Sequence, residues 1–105
     1  MYFFNPTSYT MSALTAADRY LLDFARTYEN HAVSWPWIQA FTAFLKRKQE
    51  ELIKRNPRIR PVDIYCKVDP SYTGSSKMAT IRVGTWYVHL RLIEAEHNSF
   101  EEPLL

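Results

Sequence analysis

The stretch Met78–Leu92, MATIRVGTWYVHLRL, decides the fold. Gly84-Thr85 lies near its centre. It is a Gly-X pair suited to a two-residue type II′ turn, because glycine takes the positive φ of the first turn position. That turn sets Val83 opposite Trp86, Arg82 opposite Tyr87, Ile81 opposite Val88, Thr80 opposite His89 and Ala79 opposite Leu90. Side chains alternate across a strand. One face therefore collects Ala79, Ile81, Val83, Trp86, Val88, Leu90 and Leu92, and the other Thr80, Arg82, Tyr87, His89 and Arg91. The turn alone sets this register, yet both faces come out chemically uniform; a slip of one residue would mix them.

Working outward, Val62–Asp69 alternates in the same way. Val62, Ile64, Cys66 and Val68 turn inward, and Asp63, Tyr65, Lys67 and Asp69 outward. It reads as a third strand, joined to the hairpin by the polar loop Pro70–Lys77 with Gly74 at its tip. Upstream lie two helical patterns. Thr15 and Asp18 resemble a capping box, opening a helix over 16–30 with the stripe Leu14, Ala17, Leu21, Phe24 and Tyr28. Ser34 is placed to cap a second helix, and Pro36 is tolerated in its first turn. Asn56 before Pro57 ends that helix near Arg55. Between Trp35 and Leu45 the polar residues Gln39 and Thr42 align with Lys46 and Gln49 as one narrow stripe. Such a half-helix is buried nearly all round or offers a second apolar face to a partner. Residues 1–13, with Tyr2, Phe3 and Phe4, read as an N-terminal strand or an arm on a neighbour. Residues 94–105 read as an acidic tail, either a disordered terminus or one that folds back on the basic segment 46–60.

The expected fold is α+β in a single domain over 1–105: two helices on a three-stranded antiparallel meander, order (β)ααβββ. At 105 residues and 47% hydrophobic the chain can bury a core without staples. The single cysteine, Cys66, excludes an internal disulfide and a cysteine-based zinc site, and fits a cytoplasmic setting. No run approaches the ~18 apolar residues of a membrane span, and the N-terminus lacks the pattern of a signal peptide. No metal or cofactor motif is present: His31, His89 and His97 fall in no ligand spacing, and there is no Gly-rich phosphate loop.

Three surfaces carry candidate chemistry. The outer sheet face offers Tyr65, Lys67, Arg82, Tyr87, His89 and Arg91. Tyrosine and arginine are favoured in protein recognition, aromatics between cations also stack bases and hold phosphates, and the same residues keep an open sheet soluble. The segment 46–60 carries seven basic residues, Lys46, Arg47, Lys48, Lys54, Arg55, Arg58 and Arg60, against Glu50 and Glu51, for a local charge of +5 in a chain of net +2. It suits phosphates, or a solvated helix end whose cations complement the helix dipole. Trp35 and Trp37 flank Pro36 and could pack in the core, anchor a partner or join a homodimer. The leading expectation is a non-enzymatic domain that binds a partner protein as inhibitor, adaptor or regulator, such as an accessory protein of a virus or mobile element. The alternative is nucleic-acid binding.

A further arrangement is His89 beside Tyr87 and Arg91, a set able to cut RNA with the imidazole carrying a proton and the guanidinium holding a phosphate. The element order resembles that of the RelE/ParE group of toxins, small basic chains of β-α-α-β-β-β layout. The resemblance is carried by element order, not by a motif, and the acidic C-terminal tail departs from that group. It implies a ribonuclease toxin as a second alternative.

Overall fold

A computed structural model describes residues 17–69, 77–94 and 100–102. The expected N-terminal strand or arm, Leu14, Thr15, His97 and nearly all of the loop before the hairpin lie outside them. Helix α1 spans 17–26 of the described residues and closes through a turn over 27–30. Asn30 ends that turn at φ 65°, the left-handed conformation that asparagine tolerates better than most residues. The chain then forms a two-residue strand, β1 (Ala32–Val33), followed by helix α2 (Trp35–Arg55) and strands β2 (Ile64–Val68), β3 (Lys77–Val83) and β4 (Trp86–Leu92).

The hairpin has the expected register: Val83 pairs with Trp86, Arg82 with Tyr87, Ile81 with Val88, Thr80 with His89 and Ala79 with Leu90. Gly84 has φ 63° and Thr85 does not share the positive sign, the combination of a type II′ turn. β2 adds antiparallel to β3, with Tyr65 opposite Arg82 and Lys67 opposite Thr80.

The sheet differs from a three-stranded meander in one respect. β1 joins it parallel to β4, so the order is β1-β4-β3-β2 and the sheet is four-stranded and mixed. The left-handed Asn30 turns the chain alongside β4. The Asn30 N–H donates to His89 O at 2.8 Å, and the Arg91 N–H donates to His31 O at 2.9 Å. The Ile93 N–H donates to Val33 O at 2.9 Å. Helix α2, about 31 Å long at roughly 1.5 Å per residue, then carries the chain from the β1 edge to the β2 edge.

The core lies between the helices and the inner sheet face. Leu21, Leu22 and Ala25 of α1 and Trp37, Ile38, Phe41, Phe44 and Leu45 of α2 meet Ile64, Ala79, Ile81, Val83, Val88 and Leu90. The Ser34 hydroxyl accepts the Trp37 N–H at 3.2 Å, capping α2 as its sequence suggests. Cys66 and Val68 keep their inward side, opposite Ile81 and Ala79, but are less covered than expected. Val68 is exposed, since it lies near the end of an edge strand, and Cys66 is only half-buried. The polar stripe on α2 is also broken. Thr42 is buried and donates its hydroxyl to Ile38 O at 2.7 Å, satisfying itself within the helix. The solvent side of that half is Pro36, Gln39, Ala40 and Ala43 instead, so it is not buried all round.

Candidate functional site

The outer face of the sheet is built in rows, one residue per strand. In the first row Tyr65, Arg82 and Tyr87 stand side by side on β2, β3 and β4. The Arg82 guanidinium lies 5.7 Å from the Tyr65 ring centroid and 5.6 Å from that of Tyr87, within cation–π range of both. Its Nη1 donates to the Tyr65 hydroxyl at 3.0 Å, and its Nε donates to the Gly84 carbonyl. The hydrogen bond to Tyr65, with the field of the two phenols, raises the Arg82 pKa further above its ordinary value. Arg82 is thus a fixed cation between two exposed rings. Tyr65 and Tyr87 are 37% and 50% exposed.

The second row is Lys67, Thr80 and His89. Thr80 is buried, and its hydroxyl lies 3.3 Å from His89 Nδ1. The third row holds Met78, Arg91 and Ala32. Arg91 donates its Nε to Asn30 O at 3.1 Å, tying the face to the end of α1. His89, Arg91 and Tyr87 therefore share one face of β4, and each is held by a different neighbour: Thr80, Asn30 and Arg82 respectively.

The paired tryptophans separate. Trp37 is enclosed, with Tyr28 at 4.9 Å, Phe41 at 5.1 Å and Phe100 at 5.5 Å between ring centroids. Its ring belongs to the core. Trp35 is half-buried at the rim of a depression shared with Pro36, Lys77, Leu92 and Ile93.

The basic segment is divided by its ion pairs. Arg47 bonds to Glu102, and Lys48 Nζ lies 3.4 Å from Glu51. Lys46, Lys54, Arg55, Arg58 and Arg60 make no ion pair among the described residues. The Arg47–Glu102 contact lays residues 100–102 back on the basic segment, the fold-back reading of the tail; residues 95–99 and 103–105 lie outside the described residues. Phe100 inserts against α2, with ring centroids 5.0 Å from Phe41 and 5.2 Å from Phe44. The apolar ring brings the acidic residues down onto the basic helix.

Three residues away from the outer sheet face have roles that escaped the sequence reading. Trp86, assigned to the inner face, is 41% exposed, with Arg26 stacked 5.8 Å from its ring. With Arg19, Leu22 and Asp23 they line a depression of about 380 Å³. Gln49 pairs with the Val62 backbone like a strand, donating Nε2 to Val62 O at 3.2 Å and accepting the Val62 N–H at 2.8 Å. Phe100 is the third; a lone aromatic in an acidic run was its available signal.

Among the described residues no group of three His, Cys, Asp or Glu side chains is placed to hold a metal, and no helix is long and apolar enough to cross a membrane. Comparison with protein-family models, with curated proteins and with solved structures finds no match to this chain.

Proposed function

We propose that this chain is a non-enzymatic binding domain that engages a partner protein through the outer face of its sheet, as inhibitor, adaptor or regulator. The observation that carries the reading is the Tyr65–Arg82–Tyr87 row. Arginine and tyrosine dominate the energetics of protein interfaces. Ordering a long side chain on binding costs about 0.5–1.5 kcal/mol, and here Arg82 is already held by Tyr65 and Gly84. The two rings are exposed, and the row is flanked by Lys67 and His89.

A photo-crosslinking residue in place of Tyr87 tests this. It should trap a discrete partner that the same residue in place of Ala43, on the solvent side of α2, does not trap. Equal trapping from both positions, or none from position 87, would remove the sheet face from the proposal.

A second reading, nucleic-acid binding, is favoured by one observation: Lys54, Arg55, Arg58 and Arg60 carry no ion pair among the described residues and cluster where α2 ends. Fluorescence anisotropy with mixed-sequence duplex DNA and single-stranded RNA, at low and physiological salt, tests it. Binding that weakens steeply with salt, and whose salt slope flattens in Arg55→Glu/Arg58→Glu, supports this reading. Salt-insensitive or absent binding rejects it.

A further inference from the structure

β2 is an edge strand, and its free side has a defined pattern. The Gly84 N–H donates to Asp63 O at 2.8 Å, and the Asp69 N–H donates to Met78 O at 2.9 Å. Hydrogen-bonding direction alternates along a strand. Asp63, Tyr65, Lys67 and Asp69 therefore bond toward β3, while Val62, Ile64, Cys66 and Val68 turn their N–H and C=O groups to the open edge. Gln49 occupies both outward groups of Val62. Among the described residues no strand covers Ile64, Cys66 or Val68. Unpaired edges of this kind accept another strand.

We propose that the occupant is a second copy of this chain, with β2 pairing antiparallel to its own equivalent about a two-fold axis at Tyr65. Three features of the strand select that partner and register. First, antiparallel pairing about Tyr65 bonds Ile64 of each copy to Cys66 of the other, so only residues with outward groups are used. Second, the ladder ends where the next rung would need Val62, which Gln49 has closed in both copies. Third, the register sets Asp63 of each copy opposite Lys67 of the other, giving two identical opposite-charge pairs. Asp63 and Lys67 are exposed and make no ion pair within their own chain among the described residues. Lysine on an edge strand discourages a chance neighbour, but a second copy meets it with aspartate.

The other registers are poorer. A two-fold at Cys66 sets Asp63 against Asp69, and one at Lys67 sets lysine against lysine. One at Val68 restores opposite charges but runs into Pro70, which has no N–H to donate. The pairing about Tyr65 also brings the two Tyr–Arg–Tyr rows end to end, doubling the outer face across an isologous dimer. The dimer stands independently of what that face binds.

The test is a charge swap read by sedimentation or light scattering over a dilution series of the full chain. Wild type should dimerise reversibly. Asp63→Lys and Lys67→Asp should each weaken association on the order of tenfold or more, since each turns both attractive pairs into repulsive ones. The double variant Asp63→Lys/Lys67→Asp should return to near wild-type association, because the pairs re-form with reversed sign. Both residues are exposed, and unchanged far-UV circular dichroism confirms the fold of each variant. A wild-type chain that stays monomeric, single variants that associate like wild type, or a double variant that stays as weak as the singles would each overturn the proposal. Tighter association in Asp63→Lys alone would also overturn it, as it indicates the axis at Cys66.

Discussion

The two faces of the β3–β4 hairpin share a backbone and little else. On the inner face Ala79, Ile81, Val83, Val88 and Leu90 are all 0% exposed. On the outer face the same strands present Arg82, Tyr87, His89 and Arg91 to solvent, half-buried at most. Burying an aliphatic side chain is worth about 1.5–3 kcal/mol, whereas a cross-strand pair on a solvated face contributes about 0.2–1 kcal/mol. Stability thus resides on one side. A domain that needed only solubility could fill the outer face with threonine and lysine. A cation fixed between two exposed phenols is not demanded by folding, so the outer face is where function is best sought.

Substitutions can break or sharpen that contrast. The largest effect belongs to the inner face. Ile81→Ala should cost about 2–5 kcal/mol in urea unfolding, as the site is closed on all sides by packed residues. A cost comparable to that of an outer-face change would dissolve the distinction. Next is Phe100→Ala, on the helix side of the core. Phe100 is half-buried against Phe41 and Phe44, so the loss should be about 1–2 kcal/mol, below the ~3–5 kcal/mol of a fully enclosed phenylalanine. It should also increase amide exchange at residues 101–102, because the Arg47–Glu102 pair alone is weak. No change in stability would mean the ring docks without holding the tail. Gly84→Ala touches neither face. An added Cβ would meet Val62 at an ordinary 3.5 Å, so the penalty comes from the φ of 63° and should be about 1 kcal/mol. A neutral result would argue against the type II′ turn. The smallest effect on stability belongs to Arg82→Ala, expected below about 1 kcal/mol.

The hairpin was legible because two independent signals agreed, the Gly-Thr turn and the separation of apolar from polar faces. The α2 cap at Ser34 was legible for a similar reason, a local residue with a local job. What was missed depends on distant geometry. β1 is two residues long, too short to alternate, and exists because Asn30 lays the chain beside β4. Thr42 looked like part of a solvent stripe, but a hydroxyl bonded to Ile38 O can be buried without an unmet partner. Alternation correctly put Val68 and Trp86 on the inner side, but it cannot say how far along a strand the helix layer reaches. Of the candidate site, Arg82 opposite Tyr87 could be read from the hairpin register; Tyr65 opposite Arg82 could not, because the long loop before the hairpin fixes no register. The stacking of the guanidinium between the rings could not, nor could the enclosure of Trp37, which its twin Trp35 escapes only at the rim.

The central claim is that recognition on the outer face is separable from stability on the inner one. The most direct measurement is made on the double variant Arg82→Ala/Tyr87→Ala: its urea midpoint and its capture of the partner trapped at position 87, both beside wild type. The account predicts a midpoint close to wild type, with a loss of no more than about 1–2 kcal/mol, together with loss of partner capture. A variant that keeps the partner at wild-type level would contradict it.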